Sequence, residues 1–443
     1  MVFYKLGSRP LQDYDEGIYA QVAKEALISH HQLGFTWLGN QGLGRSLFWF
    51  EKPPLMVWLT EFSYKVFGIN EFAARFWVAI FSIGIFVLTY FMAKRLFNSQ
   101  KTALLSLSLF FISFQFIYNT GVLQFDIPVT FFILWAIFSF YLSLKVNNKF
   151  YYLFWLALGL GVLTKSVIGL LPLPIVFLYS IAYRDFSYLK LKQFYWGLVL
   201  FLVIILPWHI IETVRYGKMF WEQYLLYHVL ERVAQPLEGN KGTFWFYWDI
   251  IYRGKLLISL AIVSFAYFLL SKKLKHNNYG LIFIATIFTF LFFSSAKTKL
   301  AAYILVLYPL LVIMVGRAIA DLSDLLREKY RQILTALLII GFVFLGLKYN
   351  NYRLLQTKDP YLRDTKEAGL FLANNYNNLP VYYYSITGTK PATIFYSNRV
   401  VNYLHYPSPQ PKSQFLLLSE VEPNFSQATK VFMTPSQTVY LVK

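Results

Sequence analysis

The residues best suited to chemistry in this chain are carboxylates and cations spread over its first three hundred positions. Asp15 and Glu16 open an amphipathic stretch that runs to His31 and a Gly-rich turn. Glu51 and Lys52 precede Pro53-Pro54, Asp126 stands in Gln124-Phe125-Asp126-Ile127-Pro128, and Lys165 ends Leu163-Thr164-Lys165. His228, Glu231 and Arg232 follow, then Lys297 and Lys299 in Ser295-Ala296-Lys297-Thr298-Lys299-Leu300. Cations in such a group hold an anionic headgroup, and a carboxylate beside them accepts a proton. The stretch Asp15 to Pro54 has low hydropathy and a carboxylate near each end, so the chemistry is expected there. Each residue also has an ordinary reading. Asp15 and Asp126 suit helix caps, the latter with Pro128 early in its helix. Lys165, Lys297 and Lys299 suit snorkelling to headgroups, Glu51-Lys52 suits a weak surface ion pair, and His228 suits an ordinary loop. What sets them apart is their conjunction on one side of a membrane.

That membrane is implied by composition. The 443 residues are 57% hydrophobic, 20% aromatic and 14% charged, against about 25% charge in a soluble domain. Apolar runs near 20 residues then predict a polytopic α-helical membrane protein. There is no Cys, which excludes disulfides and thiolate metal sites. Ten apolar segments are expected: Ala73–Phe91, Thr102–Tyr118, Asp126–Leu144, Phe150–Leu163, Val167–Tyr183, Phe194–Glu212, Ile250–Leu270, Tyr279–Ser295, Ala301–Ala320 and Ile333–Leu347. The fourth and fifth, separated by Thr164-Lys165-Ser166, are taken as two tight crossings.

The net charge of +19 sits largely in alternate short loops, which reads as topology and not as nucleic-acid binding. Lys94, Arg95, Lys101, Lys145, Lys149, Arg184, Lys190, Lys192, Lys272, Lys273, Lys275, Arg317, Arg327, Lys329 and Arg331 all fall in one set of loops. Positive-inside logic assigns that set to the cytoplasm. The first loop (1–70), a second large loop (217–248) and the C-terminal domain are then extracytoplasmic. Met1 to Pro10 holds no signal peptide or apolar anchor, so one helix upstream of Met1 is expected to be missing. Residues 1–348 form the membrane domain in this reading, and 349–443 a small α+β domain. The latter has a helix over Arg363–Tyr376 and strands over Val381–Ile386, Thr393–Tyr396, Val400–Leu404, Phe415–Leu418, Lys430–Met433 and Thr438–Val442.

On these residues the chain resembles the polyprenyl-phosphate-sugar glycosyltransferases of the protein O-mannosyltransferase type, with the GT-C fold, and most of all their bacterial branch that transfers aminoarabinose to lipid A. The resemblance rests on Asp15-Glu16 with Tyr19-Ala20; Phe50-Glu51-Lys52-Pro53-Pro54-Leu55; Phe67-Gly68 with Asn70-Glu71-Phe72-Ala73-Ala74-Arg75; and Asp126-Ile127-Pro128 with Thr130-Phe131-Phe132. Leu163-Thr164-Lys165, Leu206-Pro207-Trp208 and Lys297-Thr298-Lys299-Leu300 with Tyr303-Ile304-Leu305 complete it. It implies a membrane-embedded fold with extracytoplasmic loop helices, a polyprenyl-phosphate sugar donor, and a glycolipid or protein acceptor. Asp15 is implied as the catalytic carboxylate, with Glu16 and Asp126 as further catalytic candidates. Lys52, Lys165, Arg232, Lys297 and Lys299 are the candidates for the donor phosphate, and Glu51 with His228 for one divalent metal ion. The chain departs from the family pattern in lacking the first helix, in Ser166 where Gly is usual, and in Ala301 where Pro is usual. A transporter or flippase of a lipid-linked sugar is the competing class, and a scaffold without turnover a third.

Overall fold

Long apolar runs have one stable form in hydrocarbon, a helix that satisfies its own backbone. The computed structural model describes Val2–Lys443 apart from residues 30–32, 43–46, 253–254, 357–358, 385–389, 405–412, 424 and 426, and apart from the side chains of 40, 42, 252 and 349–356. Among the described residues, seven helices are long and apolar enough to cross a membrane, with two shorter apolar ones, Pro172–Tyr183 and Lys255–Leu270. All ten expected segments are helical in the main, and three differ from expectation. Thr102–Tyr118 is two helices, Gln100–Phe110 and Phe114–Asn119. The Ser113 hydroxyl bonds back to the Leu109 carbonyl between them, an arrangement that bends helices. The sixth segment does not end at Glu212. It continues through a kink at Gly217 (φ +52°) to Trp221, and from there as a π-wound helix, Glu222–Glu231. The expected loop 217–248 is therefore helical in its first half. The last membrane helix, Glu328–Gln356, runs unbroken past Lys348, so the second domain begins after Gln356.

The fourth and fifth segments are two crossings. Phe150–Lys165 meets a tight turn, Ser166–Leu170, and Pro172–Tyr183 then runs back. Gly169 lets the turn lie on the helix it leaves, because a Cβ there would stand 2.2 Å from the Gly161 carbonyl carbon. The basic loops gather at one end of the bundle. The Tyr183 hydroxyl donates to the Leu274 carbonyl at 2.6 Å, Asn278 Nδ2 to Leu96 O at 2.6 Å, and Lys101 Nζ to Ala320 O at 3.0 Å.

At the other end sit the first-loop helix Asp15–Ser29 and the C-terminal domain. That domain has a five-stranded sheet of β1 (Val381–Tyr384), β2 (Val401–Leu404), β3 (Phe415–Ser419), β4 (Ala428–Met433) and β5 (Thr438–Val442), in the order β2-β1-β3-β5-β4. β1 pairs parallel with β2 and β3, while β5 pairs antiparallel with β3 and β4. β3 is buried along its whole length, as a central strand covered on both faces must be. Helix Pro360–Asn374 packs Ala368 and Leu372 on Val381, Leu416 and Leu418. Thr393–Tyr396, expected as a strand, lies in the helix Pro391–Ser397. Pro391 suits a first helical position, and the Ala392 N–H is taken by the Asp13 carboxylate at 3.2 Å. A cap that reaches across from residue 13 leaves no local signal. Ile386 lies outside the described residues, as do His31 and part of the Gly-rich turn.

Candidate active site

Asp15 and Glu16 are neighbours with different tasks. Glu16 is 1% exposed and takes Arg75 Nε at 2.7 Å and Nη2 at 3.0 Å on its two oxygens. It also accepts the backbone N–H of Gln12 and of Leu123, each at 2.9 Å. Arg75 spends its other donor capacity on the carbonyls of Leu6, Arg9 and Pro10. The guanidinium lowers the Glu16 carboxyl to about 2 against the cost of burial. Glu16 therefore departs from its expected catalytic part. It ties the helix start to the membrane helix Glu71–Phe97 and to the loop before Asp126.

With Glu16 so fixed, Asp15 lines a cavity of about 870 Å³. Glu51, Lys52, Asp126, Lys165, His228 and Arg232 line it too, so that with Glu16 eight of the ten expected site residues converge there, all but Lys297 and Lys299. Glu16 borders it from inside its ion pair. Asp126 opens helix Asp126–Lys145 and is salt-bridged to Lys165 Nζ at 2.6 Å, which makes it the holder of that lysine and not a free base. Lys165 Nζ also stands 4.7 Å from the Tyr303 ring centroid. Arg232 donates two 2.9 Å bonds to Glu238 and one of 3.3 Å to the Tyr303 hydroxyl. Tyr303 and Glu238 thus line the cavity as well; the sequence places the first in a segment that carries the resemblance and gives it no role, and the second carries no sequence signal.

The two remaining lysines stand apart. Lys299 is 4% exposed and donates to the carbonyls of Phe293 and Ser294 at 3.1 and 2.6 Å, closing the C-terminal end of helix Asn277–Ser295. Buried cations of this kind satisfy carbonyls that helix ends leave unpaired. Lys297 is exposed and its side chain does not line the cavity. The backbone of this turn nonetheless pairs with the Arg232 segment, through Lys297 N to Val233 O at 3.1 Å and Thr298 N to Arg232 O at 3.0 Å.

Burial raises the Asp15 carboxyl; Lys52 and then Lys165 oppose that, and Asp126 reinforces it. Glu51 is likewise raised by burial, against the pull of Lys52, while burial pushes the Lys52 ammonium down. No salt bridge of Asp15, Glu51 or Lys52 occurs among the described residues. The His228 Nδ1 is buried without a hydrogen-bond partner among them. Glu51 and His228 share the cavity, but the described residues form no group of three His, Asp or Glu able to hold a metal ion. Catalytic zinc takes three protein ligands, so the pair does not fit such an ion unaided. The cavity lining combines three cations, Lys52, Lys165 and Arg232, with the carboxylates Asp15, Glu51, Asp126 and Glu238.

This is the architecture of a GT-C-fold membrane protein. ArnT from Cupriavidus metallidurans bound to undecaprenyl phosphate superimposes with a TM-score of 0.76 at 18% identity, covering 100% of this chain and 96% of that one. The Archaeoglobus fulgidus oligosaccharyltransferase matches at 0.57 and 13%, over 90% and 61% of the two chains. Residues 51–211 match the family described as dolichyl-phosphate-mannose-protein mannosyltransferase. The undecaprenyl phosphate-alpha-4-amino-4-deoxy-L-arabinose arabinosyl transferases of Erwinia tasmaniensis and Aeromonas hydrophila are 30% and 31% identical over 70% and 73% of this chain. An uncharacterized Aquifex aeolicus protein is 31% identical over 71%. The matched stretch spans 55%, 58% and 60% of those three relatives respectively. The chain is related to the polyprenyl-phosphate-sugar glycosyltransferases of GT-C fold and stands close to their aminoarabinose-transferase branch.

Proposed function

We propose that this protein is an integral-membrane glycosyltransferase that moves a sugar from a polyprenyl-phosphate donor to a lipid A-like glycolipid or protein acceptor. The reaction is assigned to the outer face of the cytoplasmic membrane, with the C-terminal domain extracytoplasmic. One observation carries this reading: Asp15, a carboxylate without a salt bridge among the described residues, shares one cavity with Lys52, Lys165 and Arg232. The names of the relatives and the lipid phosphate bound in the structural neighbour support it, and nothing in the comparisons supports the transporter reading. The positive-inside distribution supports the orientation.

In this mechanism the acceptor oxygen attacks the anomeric carbon as the bond from that carbon to the phosphate oxygen breaks. The leaving polyprenyl phosphate gains a negative charge, which Lys52, Lys165 and Arg232 stabilise where little water competes. Asp15 takes the proton of an acceptor hydroxyl. An acceptor phosphate would already be ionised and would leave Asp15 to orient it. Asp126 keeps Lys165 in place, and Glu238 with Tyr303 does the same for Arg232.

Reconstitution into liposomes with an undecaprenyl-phosphate sugar tests the class of activity. The enzyme forms a new glycosidic product and free undecaprenyl phosphate. Donor that crosses the bilayer chemically unchanged, with no product, would instead identify a transporter.

A further inference from the structure

The backbone just before Asp15 is strained. Tyr14 has φ +66°, a left-handed conformation that a non-glycine residue keeps only where its surroundings hold it. The holders on one side come from the C-terminal domain. The Tyr396 hydroxyl accepts the Leu11 N–H at 2.8 Å. Asp13, whose side chain is 10% exposed, takes the Ala392 N–H at 3.2 Å and stands 3.6 Å from Lys390 Nζ. Gly17 abuts the same helix so closely that a Cβ would fall 2.7 Å from Ala392 N. Lys390 is itself held. Its side chain is 3% exposed, it bonds Glu420 and the Tyr361 hydroxyl, and it lies 4.6 and 5.1 Å from the ring centroids of Tyr361 and Tyr383. A lysine is desolvated only at a cost, and this one is held between Glu420, Tyr361 and the carboxylate two residues before Asp15.

We propose that Lys390 is a positioning residue for transfer: by clamping Asp13 it holds the left-handed turn at Tyr14 that presents Asp15 to the cavity. This rests on Asp15 being the base, and makes the C-terminal domain part of the catalytic apparatus although none of its described residues lines the cavity. Removing the clamp leaves donor and cations in place and misdirects one carboxylate, and misplacement of about 1 Å costs roughly a hundredfold in rate.

The test is transfer by the full chain in liposomes, with kcat and donor affinity measured separately. Lys390→Met lowers kcat by about tenfold or more, with donor Kd within about twofold of the parent. Asp13→Asn, which keeps the shape and loses the ion pair, gives the same split if the first variant folds poorly. Tyr14→Gly in the Lys390→Met background recovers part of the loss, because glycine adopts positive φ without a clamp. Lys24→Met, which removes another interdomain bond (Lys24 Nζ to Phe395 O, 2.7 Å), leaves kcat near the parent value. The proposal is overturned if Lys390→Met and Asp13→Asn turn over normally, if donor affinity falls as far as kcat, or if Lys24→Met loses as much. Normal kcat in Lys390→Met with an inactive Asp15→Asn removes the clamp alone, whereas an active Asp15→Asn removes the assignment beneath it.

Discussion

Ser166 has φ +54° and ψ −139°, a region that only glycine enters cheaply. It sits at the turn that returns the chain into the membrane, beside Lys165 on the cavity wall. The family resemblance puts glycine at this position, and the geometry supplies the reason. Ser166→Gly is expected to stabilise the protein by about 1 kcal/mol, read as a higher Tm in detergent, with transfer retained; an unchanged or lower Tm would contradict the strain. Ala301 makes a parallel case. Leu300 before it is extended (φ −124°, ψ 133°), as a residue preceding proline must be. Glu16 was the least legible residue. Side by side, Asp15 and Glu16 carry the same chemistry, and only Arg75, fifty-nine positions on, decides which one is buried in an ion pair. Glu16→Gln should cost about 3–5 kcal/mol, because it leaves a buried guanidinium uncompensated. Its loss of activity would therefore track loss of fold in a thermal melt. Since the Glu16 carboxyl is lowered to about 2, its stabilisation is complete above the ordinary carboxylate range and fades as pH falls toward 2.

Elements, by contrast, were largely readable. Hydrophobic runs predict where the helices lie because hydrocarbon admits little else. The misses came where distant contacts decide. Helix Pro391–Ser397 is capped by Asp13, and the helix past Gly217 persists where polarity suggests a loop. Lys297 and Lys299 looked equivalent in one short turn. One is exposed at its surface and the other closes a helix end, a difference of packing that spacing does not encode. The loop bearing Glu51 and Lys52 has an electrostatic task that can be measured. Lys52 is the largest of the charges opposing the burial that raises Asp15. A base must be deprotonated, so kcat/KM should fall as pH drops through the Asp15 pKa. Lys52→Met removes a cation that lowers that pKa, and the acidic limb should move to higher pH. A limb that stays put, or moves to lower pH, would show that Asp15 does not titrate in it.

For the whole molecule, the charge pattern predicts sidedness. Basic loops meet at one end of the bundle, and the cavity and the C-terminal domain occupy the other. The chain has no cysteine, so single cysteines report position without background. Val421→Cys, at a site 61% exposed in the C-terminal domain, should react in intact cells with a membrane-impermeant maleimide admitted past the outer envelope. Leu325→Cys, 82% exposed in a basic loop, should react only after lysis, and the reverse pattern would invert the topology. The charge topology puts Asp15, Asp126 and Arg232 on one side of the membrane, but no local spacing makes them converge in one cavity there. The claim that most depends on that convergence is that Asp15 acts on the acceptor while the cations hold the donor. Its most direct measurement pairs sugar transfer with equilibrium binding of the undecaprenyl-phosphate sugar in folded Asp15→Asn. The account predicts transfer lowered by about a hundredfold or more with donor affinity kept within a few-fold; normal transfer, or donor binding lost together with transfer, would contradict it.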